Sequence, residues 1–200
     1  AMQVAPQAKR ALVIGGGDGG IARELLRYNQ LEEVVIAELD EEVINVAKEH
    51  FPQLASSFND ERTSLNIING IDYVRDLPEN SFDVIIVDSP DPVGQAKGLF
   101  SQEFYGDLHR VLSTNGILVT QSESPRFNEE TFCEVAKCHR KIFGKENVWT
   151  YLAFVPTYTS GMWSFSMAAK SGQNPITDFN DSQAREFSKE SGLRYYNEDI

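Results

Sequence analysis

Short apolar runs alternate along this chain with longer stretches in which apolar residues recur every three or four positions. Residues 11–14, 34–37, 65–68, 84–87 and 117–120 are apolar at nearly every position. Runs without polar alternation predict strands covered on both faces. Between them, 21–28, 41–50, 71–76 and 102–112 have helical spacing. Asp40 stands where a helix N-cap is expected, with Val43, Ile44 and Ala47 on one face of the helix that follows. Asn115-Gly116 predicts a turn before the fifth strand, and 129–143 predicts another amphipathic helix. Strand and helix in alternation predict an α/β fold with a parallel sheet and right-handed crossovers. The end of the chain breaks the alternation. Residues 151–155 and 163–168 are strand-like and are joined by Pro156-Thr-Tyr-Thr-Ser-Gly161, which predicts an antiparallel hairpin at the sheet edge. Asn174-Pro175 interrupts the chain, and 182–191 predicts a last helix.

The turn after the first strand changes this from a fold reading to a functional one. Ile14-Gly-Gly-Gly-Asp-Gly-Gly20 follows an apolar run and precedes a helical one. Strand, glycine turn and helix present backbone N–H groups to a nucleotide. Gly15, Gly17 and Gly20 match the spacing of the dinucleotide fingerprint, which many nucleoside-binding folds share. Asp18 is the informative residue. A pyrophosphate over this turn would meet a carboxylate, whereas a cation would be stabilised by one. The turn therefore points to a nucleoside with a positively charged tail.

Ligands of open α/β sheets sit beyond the carboxyl ends of the strands, so the residues delivered there carry the argument. The second strand ends in Glu38-Leu-Asp40. An acid at this place accepts hydrogen bonds from both ribose hydroxyls; otherwise it is a helix cap or a solvated acid. The third ends in Asn69-Gly70 with Asp72 beyond, either an edge that reads adenine or an ordinary Asn-Gly turn. The fourth ends in Asp88-Ser-Pro-Asp91-Pro92. Each proline holds its predecessor extended and stiffens the loop. Two acids on a rigid loop at the mouth of the sheet can bind an amine and take its proton; the plainer alternative is a capping Asp88 and a solvated Asp91. Tyr158, in the hairpin loop, either orients the same amine or packs.

Composition narrows the partners. Of 200 residues, 41% are hydrophobic, enough for one domain with a substantial core. The net charge of −12 argues against nucleic acid and anionic membrane as partners and is compatible with cationic ligands. No apolar run approaches the ~18 residues of a membrane span, and no signal peptide is visible. Cys133 and Cys138, five apart in a predicted helix, fit neither a metal site nor a disulfide framework, which predicts reduced thiols and a cytoplasmic protein. His50, His109 and His139 are not at metal-ligand spacing, so no metal is expected.

Four segments in order, Ile14-Gly-Gly-Gly-Asp-Gly19, Glu38-Leu-Asp40, Phe82 to Pro92 and Pro156 to Gly161, resemble those of the spermidine synthases, and the resemblance runs over about residues 8–196. It implies a class I methyltransferase-like Rossmann fold: a mostly parallel seven-stranded sheet with a C-terminal antiparallel edge hairpin. It implies polyamine aminopropyltransferase activity, moving an aminopropyl group from decarboxylated S-adenosylmethionine to putrescine and releasing spermidine and methylthioadenosine. Decarboxylated S-adenosylmethionine is the co-substrate, and no other cofactor is implied. By position, Asp88 resembles the general base, Asp91 an acceptor-binding carboxylate and Tyr158 the phenol that orients the attacking amine. Asp18 resembles the acid that holds the donor's ammonium, Gly15 and Gly17 belong to the donor loop, and Glu38 resembles the ribose ligand. Asn69 and Gly70 fall beside the adenine, and Glu123 falls near the far amine of the acceptor. Residues 1–200 correspond to one catalytic domain without the family's small N-terminal β domain, which covers the site and helps form homodimers. The departures are Asn69 for Asp, Gln95 for Pro, Pro90 for Ser or Thr, Thr159 for a frequent Pro, and Arg126 where bacterial members often have Trp; the first two flank the adenine pocket.

Three other readings stay open on sequence. A methyltransferase acting on a small amine shares the fold and the turn, but its methionine tail would bring a carboxylate to Asp18. An NAD-dependent oxidoreductase fits Gly15, Gly17, Gly20 and Glu38 by spacing, but not Asp18 or the loop at Asp88. A non-catalytic nucleoside- or polyamine-binding domain would carry the same turn.

Overall fold

The computed structural model describes residues 1–159, 161–193 and 196, and the backbone alone at Gln95. Ser160, within the hairpin loop singled out above, and the side chain of Gln95 therefore lie outside the described residues. Seven strands, β1 (Arg10–Gly15), β2 (Glu33–Glu38), β3 (Thr63–Ile67), β4 (Phe82–Asp88), β5 (Leu112–Gln121), β6 (Val148–Phe154) and β7 (Met162–Ala169), form one sheet in the order β3-β2-β1-β4-β5-β7-β6. The pairs among β3, β2, β1, β4 and β5 are parallel. β7 runs antiparallel to both β5 and β6, so the predicted hairpin closes the sheet with β6 at its edge.

The central strands are apolar throughout because both faces are covered. Leu12 and Ile14 of β1 enter one core with Val35, Ile85, Phe104, Leu108 and Leu118, while Ala11 and Val13 enter a second with Val34, Ile36, Val84, Ile117 and Met167. Helices α1 (Gly20–Leu25), α2 (Glu41–His50), α3 (Pro52–Ala55), α4 (Gly70–Asp76), α5 (Gln102–Val111), α6 (Glu129–Phe143) and α7 (Asp181–Glu190) connect or follow the strands. The first core takes residues of α4, α5 and α6, and the second takes Ala22 and Leu25 of α1. Asp40 caps α2 as expected, its carboxylate accepting from the Glu42 N–H at 2.9 Å.

Four local expectations are corrected. β3 is an edge strand, with Ile67 exposed, rather than one covered on both faces. Asn115-Gly116 does not precede the fifth strand but lies in a bulge within it, where the step from Phe82 to Val84 on β4 faces the step from Leu112 to Ile117 on β5. Helix α1 ends at Leu25, short of residue 28. Val43 does not join Ile44 and Ala47 in the core; it is exposed and leans toward the glycine turn.

Candidate active site

The carboxyl ends of β1, β2, β3 and β4 lie side by side in the order 3-2-1-4, which brings Asn69, Glu38, Asp18 and Asp88 to one rim. Gly15 pairs with Asp88 across β1 and β4. Its φ is 81°, and a Cβ there would overlap the Asp88 carbonyl oxygen, so the turn demands glycine at this point. Gly17 leaves room for a side chain rather than for backbone: a Cβ would stand 2.8 Å from Glu38 Oε2 and 2.9 Å from Val43 Cγ1 and would push them aside. The acid at the end of β2 thus lies directly against the glycine turn.

Each of these side chains is oriented by its own neighbours in sequence. Asp18 Oδ1 accepts from the Gly20 N–H at 2.8 Å at the start of α1, and Asp18 is exposed. Glu38 Oε1 accepts from the Asp40 N–H at 2.9 Å, leaving Oε2 toward Gly17. Asn69 is the N-cap of α4, its Oδ1 accepting from the Ile71 N–H at 2.9 Å. The cap fixes the amide orientation, since a flip would set Nδ2 against another donor. One lone pair of Oδ1 remains for a ligand, so the turn reading and the adenine-edge reading are compatible. Gly70, buried, opens the same helix.

Asp88 ends β4 and keeps a solvent-accessible surface. Its carboxyl pKa is pushed up from the ordinary value, first by desolvation and then by the negative charges of Asp18 and Glu38. The three acids therefore share one electrostatic environment, and a cation among them would relieve their repulsion. Asp91 is exposed on the loop beyond, where its carbonyl accepts from the Val93 N–H at 2.6 Å.

On the other side of Asp88 the structure brings together residues from three distant segments. Glu123 is sealed from solvent, at 0% exposure, with φ 69°. Its carboxylate accepts from Asn128 Nδ2 and from Gln121 Nε2. No described residue forms an ion pair with it. Tyr158 is exposed in the hairpin loop and its ring packs at 4.5 Å on Trp163 of β7. Trp163 Nε1 donates to Gln121 Oε1 at 3.0 Å. Gln121, Trp163 and Asn128 were not among the residues that motif reasoning selects. The available signal was the polar end Gln121-Ser-Glu123 of an otherwise apolar strand. Among the described residues, no group of His, Cys, Asp and Glu has the arrangement of a metal site.

A model of the spermine/spermidine synthase domain matches residues 1–180. The chain belongs to the spermine/spermidine synthase family. It is 41% identical over 195 residues to the polyamine aminopropyltransferase of Methanocaldococcus jannaschii, covering 98% of this chain and 65% of that one. The polyamine aminopropyltransferase of Thermotoga petrophila is 42% identical, with 98% and 64% covered. Among solved structures, a spermidine synthase in complex with the transition-state analogue AdoDATO superposes with a TM-score of 0.93 at 40% identity, covering all of this chain and 66% of that one. The spermidine synthase of Thermotoga maritima superposes with 0.91 at 39% identity, with 100% and 65% covered. The chain thus spans about two thirds of the length of these family members, and the sheet described above is the family's fold. No described helix is long and apolar enough to cross a membrane.

Proposed function

We propose that the full-length protein transfers an aminopropyl group from decarboxylated S-adenosylmethionine to a diamine, with putrescine as the acceptor. The observation that carries this reading is the convergence of three acids on the glycine turn: Asp88 pairs with Gly15, Glu38 lies against Gly17, and Asp18 stands within the turn itself. The family's name and the likeness to a spermidine synthase bound to a transition-state analogue support the same reading.

In the proposed reaction, Glu38 accepts hydrogen bonds from the ribose hydroxyls and Asp18 holds the ammonium of the donor's aminopropyl arm. Asn69 and Gly70 border the base. The acceptor amine must be neutral to attack. Asp88 takes its proton, and Asp91 and Tyr158 hold and orient it. The amine lone pair forms the new C–N bond as the C–S bond breaks, and the electron pair leaves on sulfur as neutral methylthioadenosine. By the resemblance Glu123 falls near the far ammonium of the acceptor. Its carboxylate is held by two amides and, among the described residues, by no cation, and because it is sealed from solvent, direct contact with an amine requires that amide cluster to open. The resemblance to the family also makes a homo-oligomer of the full-length chain part of the proposal.

The raised pKa of Asp88 fits a base that works on cations. A donor and an acceptor arriving with positive charge would stabilise its ionised form at the moment that form is needed. The test is release of methylthioadenosine by the full-length protein, with decarboxylated S-adenosylmethionine and a panel of amines. Turnover with a diamine supports the proposal. Turnover with S-adenosylmethionine and methylated amine as product would overturn it.

A further inference from the structure

Gln121 ends β5 and is 7% exposed, yet its amide is engaged on both sides by groups that flank the site. Nε2 donates to the Ser89 carbonyl at 3.2 Å, to Ser89 Oγ at 3.2 Å and to Glu123 Oε1 at 3.3 Å. Oε1 accepts from the Glu123 N–H at 3.2 Å and from Trp163 Nε1 at 3.0 Å. The orientation is fixed, because a flipped amide would face two donors with its own N–H groups. We propose that Gln121 is a positioning residue that couples the Asp88–Asp91 loop, Glu123 and the Tyr158 loop into one acceptor site. The inference rests on the function proposed above.

Three features make the assignment. First, the loop from Asp88 to Pro92 has no N–H at Pro90 or Pro92, so its backbone has few donors with which to anchor itself. Gln121 reaches it from outside, at the carbonyl one residue beyond the proposed base. Second, Glu123 is held at φ 69°, a left-handed conformation that costs a non-glycine residue on the order of 1 kcal/mol or more. That conformation turns its N–H to Gln121 Oε1. Third, Trp163 carries the Tyr158 ring, tilted 60° against it, so fixing the indole fixes the platform on which the phenol rests. Only an amide of this length donates on one side and accepts on the other. Glutamate lacks the donor, and asparagine lacks the reach.

This chemistry lets the two sides be separated in the full-length protein. Gln121→Glu keeps the acceptor for Trp163 and loses the donor to Ser89, while placing a second carboxylate beside Glu123. Trp163→Phe removes the indole donor, together with part of the ring surface under Tyr158, and leaves the amide's contacts with Ser89 in place. Gln121→Leu removes both sides. Amide hydrogen exchange should quicken over 88–93 in Gln121→Glu, over 157–159 in Trp163→Phe, and over both in Gln121→Leu. In the kinetic arm, Gln121→Glu should raise KM for the amine by about tenfold, the worth of one or two lost hydrogen bonds, with KM for the donor within about twofold. Equal exchange changes in all three variants, or a lowered Tm with no change in the ratio of amine to donor KM, would overturn the positioning role. If the wild-type protein shows no aminopropyl transfer, the proposed function falls, and the exchange pattern still decides whether Gln121 couples the loops. Should Gln121→Leu fail to fold, the opposite patterns expected of the other two variants carry the test alone.

Discussion

The two halves of the rim are built differently. On the glycine-turn side, the three candidate polar side chains are each held by a partner two positions away: Asp18 by Gly20, Glu38 by Asp40, Asn69 by Ile71. On the hairpin side, Glu123 also has near partners in Gln121 and Asn128, but three further bonds join residues 32 to 42 positions apart, from Gln121 to Ser89, from Trp163 to Gln121 and from Ser164 to Glu123. The first half is a set of short-range contacts, each side chain accepting from the backbone N–H two residues on, with Asn69 also capping a helix. The second is a network that exists only once β5, β7 and the Asp88 loop have docked. A local device survives disturbance elsewhere, whereas a network fails as a unit.

The largest expected effect is at the seam between the halves. Asp88→Asn should lower kcat by about 10²–10⁴-fold at saturating amine, the usual contribution of a general base. A loss below tenfold would remove Asp88 from that role. Because its folded-state pKa is raised, ionised Asp88 opposes folding: the favourable contribution is present at low pH and is lost as pH rises through the folded value. The same substitution should therefore raise Tm at neutral pH. Next in size is Gly15→Ala, where a positive φ and overlap with the Asp88 carbonyl act together. The expected destabilisation is about 2–4 kcal/mol by denaturant unfolding.

The hairpin half has its own weak point in acid. His139 of α6 is fully buried, with Nδ1 at 2.8 Å from Ser166 Oγ of β7, and burial pulls its pKa from 6.5 down to about 4. Neutral His139 is the form that folds. Its contribution is intact above 6.5 and is lost as pH falls through the window from 6.5 toward 4. Between pH 6.5 and 5 this group alone should lower stability by about 2 kcal/mol, and His139→Gln should flatten that slope in urea titrations. If the halves differ as argued, hydrogen exchange in acid should quicken in β7 and α6 before it does in β1 and β2. The smallest effect belongs to Asn69→Asp. Aspartate caps as well as asparagine, so stability should hold within about 0.5 kcal/mol. Methylthioadenosine should bind more tightly by about 1 kcal/mol in titration calorimetry if the remaining lone pair faces the base. Unchanged affinity would leave Asn69 as a helix cap only.

The same difference in build explains what was legible in the sequence. Strand and helix periods report local burial, so the order of elements and the ends of α2 and α6 could be read directly. Glu38, Asn69 and Asp88 could be placed on the rim from the sequence because a strand end is a local feature and open α/β sheets bind beyond it. β3 was misjudged because an apolar run does not say whether a neighbour covers it. The bulge in β5 was hidden because register depends on the partner strand. Gln121 and Trp163 have no motif of their own; they meet only through the antiparallel pairing that sets β7 beside β5. Asn128 was missed in the same way, since its amide reaches back from the start of α6 to a carboxylate buried at the end of β5.

The central claim is that the glycine turn holds a cation, and Asp18 tests it most directly. Decarboxylated S-adenosylmethionine and S-adenosylmethionine share adenosine, sulfonium and a primary amine and differ by one carboxylate on the tail. An ammonium paired with Asp18 is worth about 1.5–3 kcal/mol. A carboxylate brought to ~4 Å costs up to about 4 kcal/mol at an effective dielectric near 20, less with solvent and the ligand's own ammonium nearby. Dissociation constants of both ligands should be measured for the full-length protein and for Asp18→Asn at matched salt. The account predicts that the wild type prefers the decarboxylated ligand by roughly a hundredfold or more, and that the preference shrinks in the variant from both sides. Equal affinity of the wild type for the two ligands would contradict it.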